Sequence, residues 1–90
     1  MQDTNKNQKL AITLGNIIKD MRQNKKKFSL NKLANEYDLG KTTLRKIENG
    51  WVGCKFATLW RIAEALDIKP SNLVKIIEEQ LGEDFKLIDE

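Results

Sequence analysis

The chain has 90 residues, a length that supports one hydrophobic core and excludes a second. Hydrophobic residues make up 40% and charged residues 32%, with 5 Gly and 1 Pro, which excludes a disordered or fibrous protein and favours a helical one. The formal net charge is +3. One cysteine and no histidine exclude an intramolecular disulfide framework and a zinc site.

The first nine residues are polar and predict a flexible N-terminus, residues 1–9. They lack the apolar core of a signal peptide, and no apolar run approaches the roughly 20 residues that span a bilayer. We therefore expect a cytoplasmic protein without a membrane partner, and the lone cysteine agrees with a reducing cytosol.

The first two helices are predicted from apolar stripes of helical period. Helix 1 runs from about residue 8 to about residue 24, where its stripe comprises Leu10, Leu14, Ile17, Ile18 and Met21. Three lysines at positions 25–27 follow, either as a C-terminal cap that the helix dipole favours or as contacts to DNA phosphate. Helix 2 runs from Leu30 to Tyr37, with Ser29 as its N-cap and a stripe of Leu30, Leu33, Ala34 and Tyr37.

A turn of three residues separates helix 2 from helix 3. Asp38 tolerates a left-handed backbone, Leu39 fills the angle between the helices, and Gly40 caps the next helix. Helix 3 runs from Lys41 to about Asn49 and ends at Gly50. Its inward residues are Leu44 and Ile47, and its outward cations are Lys41, Arg45 and Lys46. A cationic helix held against a partner helix is the shape that enters a DNA major groove.

The fourth helix is predicted by a further stripe, which comprises Phe56, Leu59, Ile62, Ala63 and Leu66. Trp60 lies at the margin of the stripe and either extends the core or faces a partner subunit. In the preceding loop, we expect Trp51 to pack against its own loop rather than the DNA backbone, and Cys54 to be a small apolar filler.

The fifth helix begins at Lys69-Pro70, since proline suits the first helical position, and ends at Gly82. Its stripe is broader than one small core needs and comprises Leu73, Val74, Ile76, Ile77 and Leu81. The tail, residues 82–90, is either a short strand or a further turn of helix, and its apolar residues need burial against a second subunit or its own domain.

Charge is distributed unevenly along the chain. Residues 1–75 hold 15 Lys and Arg against 7 Asp and Glu, whereas residues 76–90 hold 1 against 6. A basic body with an acidic C-terminal end predicts a polyanion-binding surface in the body and a different role for the end.

The chain contains, in order, Leu33-Ala34, Leu39, Leu44 and Ile47-Glu48-Asn49-Gly50, followed by TLWRIAEALDI. This order resembles the helix-turn-helix domain of the phage repressor and Cro class of bacterial regulators, the XRE family. The resemblance covers roughly residues 10–81. It implies an all-α, five-helix, lambda-repressor-like DNA-binding domain followed by a short tail. The function it implies is sequence-specific binding of double-stranded DNA by a transcriptional regulator, in particular a repressor.

Residues that contact DNA are carried over from the family by position. The resemblance implies contacts from Ser29, Lys41, Thr42, Thr43, Arg45, Lys46 and Asn49. Arginine and lysine suit guanine O6 and N7, while threonine hydrogen-bonds a base or phosphate or packs its methyl on thymine. The chain departs from the family at Leu30, where many members have a glutamine, at Asp38, where they have a glycine, and at Gly40, where they have a polar residue. Glu48 is expected to be structural, paired with a Lys or Arg of a neighbouring helix.

A homodimer is expected because one small domain reads only a few base pairs, whereas a two-fold dimer reads a pseudo-palindrome. The residues assigned to this contact are Trp60, Val74, Ile77, Leu81, Phe85 and Leu87.

The main alternative is an antitoxin-like or adaptor module that acts through a protein partner such as a toxin, with or without repression of its own operon. An enzyme is not expected, because the sequence shows no metal-ligand cluster, Gly-rich phosphate loop or nucleophile with a base. No cofactor or metal is expected either.

Overall fold

A computed structural model describes the backbone of residues 2–88 and the side chains of residues 6–88. It contains five α-helices and no strand within those residues: α1 Gln2–Asp20, α2 Leu30–Glu36, α3 Lys41–Glu48, α4 Phe56–Ala65 and α5 Pro70–Leu81. The predicted all-α fold and the predicted order of five helices are confirmed.

The start of α1 differs from the prediction. The helix begins at Gln2 rather than near residue 8, so the segment expected to be a flexible N-terminus is helical, apart from Met1, which lies outside the described residues. Residues 2–9 contain no Gly or Pro. Once the packed part of the helix has formed, each added residue gains a hydrogen bond without a new nucleation cost, so the helix extends.

The end of α1 also differs, because the helix continues into a π-helical segment, Met21–Lys26. Lys27 ends it in a left-handed conformation, with φ 57°, and the N–H of Phe28 donates to the carbonyl of Arg22 at 2.9 Å. The segment buries the side chains of Met21 and Arg22. A charged side chain, Arg22, is therefore buried just after the C-terminal end of α1.

One core lies at the centre of the five helices. Helix α1 packs against α3 and α5, α2 packs against α3, and α4 packs against α5. The largest fully buried side chains come from all five helices and are Ile18, Leu33, Leu44, Ile47, Ile62 and Leu73. These positions belong to the predicted stripes, so the core agrees with the helical periods of the sequence.

Helices α1 and α3 approach so closely that one position in α1 must be glycine. A Cβ atom at Gly15 would collide with the carbonyl oxygen of Ile47 and would lie 2.7 Å from that of Glu48. Gly50, the second residue after α3, has φ +72° and lies against Ile12 of α1. The backbone of α1 thus supports the C-terminal end of α3 directly.

The predicted inward position of Phe56 is wrong, because its side chain is 71% exposed. Phe56 is the first residue of α4 and lies about 120° around the helix from Ile62, a core residue. Trp60 is also exposed and therefore does not extend the core. The two rings contact each other edge to face, with centroids 5.9 Å apart.

The tail is neither a strand nor a helical turn within the described residues. After α5 ends at Gly82, with φ +91°, a hydrogen-bonded turn forms in which the N–H of Phe85 donates to the carbonyl of Gly82 at 3.3 Å. Phe85 is half-buried beneath the ammonium group of Lys9 in α1, at 5.7 Å from the ring centroid. Leu87 is exposed. The tail therefore folds back only in part.

Candidate nucleic-acid interface

The pair of helices α2 and α3 is joined by the predicted turn. The Ser29 hydroxyl accepts a hydrogen bond from the N–H of Lys32 at 3.0 Å, as expected of an N-cap. Asp38 has the predicted left-handed conformation, with φ 55°, and Leu39 is buried between the helices. Gly40 is the extended N-cap of α3, and its carbonyl accepts from the N–H of Leu44 at 2.8 Å. The turn residues therefore have the roles predicted from the sequence.

A contact from outside the helix pair supports this turn. Arg61 of α4 extends its guanidinium towards the turn, where Nη1 donates to the carbonyl of Asp38 at 3.4 Å. The main-chain carbonyl of the left-handed residue thus has a partner. Helix α4 thereby helps to hold the angle between α2 and α3.

The outward face of α3 is exposed and cationic. All seven side chains assigned to DNA contact are exposed, namely Ser29, Lys41, Thr42, Thr43, Arg45, Lys46 and Asn49. Lys41 and Arg45 are four residues apart and so lie on the same side of the helix. Within the described residues, none of the three cations of α3 forms an ion pair. Their charges are therefore available to an external anion.

A buried ion pair anchors the C-terminal end of α3. The guanidinium of Arg22 donates to both carboxylate oxygens of Glu48, from Nε to Oε2 at 2.7 Å and from Nη2 to Oε1 at 2.8 Å. Its remaining nitrogen, Nη1, donates to the carbonyl of Phe28 at 2.9 Å. The structural role predicted for Glu48 is confirmed, and the pair joins the end of α1, the end of α3 and the loop before α2.

Arg22 was not identified from the sequence, although a signal for it exists. It follows Ile18 by four residues and therefore lies on the apolar face of the first helix. A charge on such a face needs a partner, because burying an unpaired charge is costly. Glu48, the one carboxylate on the predicted third helix, was the available partner.

Cations also surround the start of α2. Lys32 and Lys26 place their ammonium groups 4.8 and 5.6 Å from the centroid of Phe28. The Phe28 ring stacks in turn on Tyr37, with centroids 6.2 Å apart. This cluster adds positive charge beside Ser29, on the helix pair that carries the cationic face.

The loop between α3 and α4 contains one wrong and one confirmed prediction. Trp51 does not pack against its own loop, because its side chain is 68% exposed just beyond the end of α3. Cys54 is half-buried against the core, as expected of an apolar filler. Burial raises the pKa of its thiol from 9.0 to about 11, so the reactive thiolate is scarce near neutral pH.

The residues assigned to a dimer contact are not all available to a partner. Ile77 is buried in its own core, and Leu81 packs against that core, because the stripe of α5 serves the contacts with α1 and α4. Trp60 and Val74 are exposed and line one groove between α4 and α5. Only part of the predicted set therefore forms a free surface.

The described residues contain no cluster of three or more Cys, Asp or Glu side chains that could hold a metal ion. In the same part of the chain, no helix is both long and apolar enough to cross a membrane.

Comparison with known proteins identifies the same region of the chain. The protein family described as helix-turn-helix matches residues 18–73, from the last three residues of α1 to the start of α5. The match includes the whole of α2, the turn and α3. No curated protein and no solved structure gives a significant match.

Proposed function

The chain belongs to the helix-turn-helix family of XRE-type DNA-binding transcriptional regulators, and from that premise we propose that it is a repressor that binds a pseudo-palindromic operator as a homodimer. The DNA-binding domain is assigned to residues 10–81. Helix α3 enters the major groove, and the tail, residues 82–90, contributes to the dimer contact.

The exposed cationic face of α3 is the observation that carries this proposal. Arg45 and Lys41 lie along one side of the helix, where their side chains suit the O6 and N7 acceptors of guanine. Thr42, Thr43 and Lys46 surround them, with Ser29 and Asn49 at the edges as phosphate contacts. Such contacts position the protein, whereas base contacts determine sequence preference.

The rigidity of α3 supports the same function. Base readout requires side chains that are held in place before binding. The Arg22–Glu48 pair and the close approach at Gly15 fix the backbone of α3, and Arg61 adds a longer contact to the turn before it. A helix whose only role was to keep the protein in solution would not need these supports.

The proposal is tested by selecting bound sites from a random pool of duplex DNA and then measuring affinity for the selected site at several salt concentrations. We expect a two-fold related motif with half-sites about one helical turn apart. We also expect the logarithm of the association constant to fall with the logarithm of salt concentration, by about 0.9 per phosphate contacted. An unenriched pool together with a flat salt response would refute DNA reading.

A second candidate is the antitoxin-like or adaptor module with a protein partner such as a toxin. The observation in its favour is the exposed apolar groove between α4 and α5, because exposed apolar patches mark protein interaction sites. An adaptor has no need of three exposed cations on α3. Unchanged partner binding after removal of those cations, with no selected DNA motif, would favour this candidate.

A further inference from the structure

A groove between α4 and α5 exposes apolar side chains that the proposed DNA-binding face does not use. Its volume is about 630 Å³, within the range of roughly 300 to 1,000 Å³ that is typical of ligand sites. Phe56, Trp60 and Val74 form its apolar wall. The edge-to-face contact of the two aromatic rings holds that wall in shape. The groove therefore offers a preformed apolar surface.

The charged residues around the groove give it a net positive character. Lys69 and Lys75 line it together with one carboxylate, Glu78. An occupant that combines apolar side chains with acidic ones would therefore complement both the wall and the rim.

The tail of the same chain has this composition. Residues 83–90 hold four acidic residues and one lysine, for a net charge of −3. Leu87 is exposed in the tail, and the neighbouring Ile88 is 73% exposed. Covering adjacent exposed leucine and isoleucine side chains with a partner lowers the free energy, because apolar surface is removed from water.

Residues 82–88, the part of the tail that the structure describes, do not line the groove of their own domain. Phe85 lies beneath Lys9 and so directs the tail towards α1. The face of α5 towards α1 includes Ile76, which shares a pocket with Ile17 and Met21. Val74, in the groove, is two residues from Ile76 and thus about 200° around the helix. Phe85 instead lies near Glu78 and Leu81 at the C-terminal end of α5, beside the groove but not in it.

We propose that the groove binds the tail of a second copy of this chain, so that two copies exchange tails across a two-fold axis. Leu87 and Ile88 of one copy cover Phe56, Trp60 and Val74 of the other, and the tail carboxylates face Lys69 and Lys75. An exchange of this kind fills both grooves and buries both tails, so the contact is the same for the two copies, as in a closed two-fold dimer. The inference rests on the homodimer of the proposed function and specifies its contact.

The test compares the full chain with two surface variants by sedimentation equilibrium. Val74→Glu places a charge in the groove, and Val52→Glu is its matched control, because both valines are 40% exposed. We expect the dimer dissociation constant to rise at least about tenfold for Val74→Glu and to stay unchanged for Val52→Glu. Equal effects of the two variants, or a wild-type chain that stays monomeric at high concentration, would overturn the proposal.

Mixing distinguishes tail exchange from other dimers. The double variant Leu87→Ser, Ile88→Ser keeps an intact groove, whereas Val74→Glu keeps an intact tail. A mixture of the two forms a mixed dimer with one intact contact, so we expect it to associate more tightly than either variant alone. A groove-to-groove dimer would instead leave the tail variant as strong as wild type, and that result overturns the proposal.

DNA binding is measured on the same samples with a duplex that carries one half-site. If the mixed variants associate no more tightly than each variant alone, while DNA binding stays salt-dependent, tail exchange is overturned and the proposed DNA binding stands. Retained tail exchange without DNA binding would overturn the proposed function alone.

Discussion

Arg45 is the residue on which the proposed base reading depends most. It lies near the middle of α3, is exposed and forms no ion pair within the described residues. Its guanidinium carries donors in a fixed fork that matches the two acceptors of guanine. Neither Gly40 nor Leu30 has a polar side chain, so the proposed sequence preference depends on fewer residues.

We predict that Arg45→Ala weakens binding to the selected operator by about 1 to 3 kcal/mol and binding to random DNA by much less. The reason is that a lost base contact matters only where the matching base is present. Fluorescence anisotropy with both duplexes measures the difference. Lys19→Ala, which removes the same charge from an exposed position on α1, outside the α2 and α3 pair, is the control. Equal losses on both duplexes would make Arg45 a phosphate contact.

Position 15 requires glycine for a steric reason, because no side chain fits between α1 and α3 there. We predict that Gly15→Ala lowers the free energy of unfolding by about 1 to 3 kcal/mol, because the new methyl group meets the backbone carbonyls of Ile47 and Glu48. The gain in helix propensity, about 1 kcal/mol, is smaller than the cost of moving α3.

Urea denaturation followed by circular dichroism measures this change. Gly53→Ala is the matched control, because a Cβ atom there has no neighbour within 4 Å. We expect the midpoint of that variant to stay near the wild-type value. If both alanine variants unfolded at the same urea concentration, the close approach of α1 and α3 would not limit the side chain at position 15.

At the scale of the elements, α3 is held by apolar packing on its inward side and by an ion pair at its C-terminal end. Its inward side packs through Leu44 and Ile47, and its C-terminal end is anchored by the Arg22–Glu48 pair. The arginine comes from the π-helical continuation of α1. The position of the proposed reading helix therefore depends on the end of the first helix.

We predict that Glu48→Ala destabilises the protein by about 3 to 5 kcal/mol, because it leaves the Arg22 guanidinium buried without its carboxylate. That loss is a large share of the roughly 5 to 15 kcal/mol that stabilises a typical domain. Urea denaturation measures the change, with the exposed Glu64→Ala as the control.

The double variant Arg22→Met, Glu48→Leu tests the cause of this loss. Replacing both charges with apolar side chains removes the unpaired ion, so we expect the double variant to be more stable than Glu48→Ala alone. A double variant as unstable as the single one would show that packing around Glu48, rather than the stranded charge, accounts for the loss.

At the scale of the whole molecule, positive and negative charges are separated along the chain. The basic residues of the body include the exposed cations of α3, and the acidic residues of the tail follow α5. The structure directs the tail towards the N-terminal part of α1, where Phe85 meets Lys9. In the proposed dimer the tail carboxylates then serve a protein contact, where they do not oppose the DNA phosphates.

The sequence by itself determined the all-α fold, the order of the helices, the N-cap at Ser29, the turn at Asp38–Gly40 and the family. These features depend on residues within a few positions of one another, through helical period, capping and turn conformation. The exposed set on α3 could be predicted for the same reason, since the inward residues of a short helix determine which residues face outward.

Only the tertiary structure decided which distant residues meet. Arg22 and Glu48 are 26 positions apart, and their pairing depends on how α1 crosses α3. The exposure of Phe56 depends on which face of α4 meets the core, and the tail packs where Phe85 meets Lys9, near the opposite end of the chain. The local sequence pattern does not predict these contacts, because burial and pairing of distant residues depend on how whole helices pack.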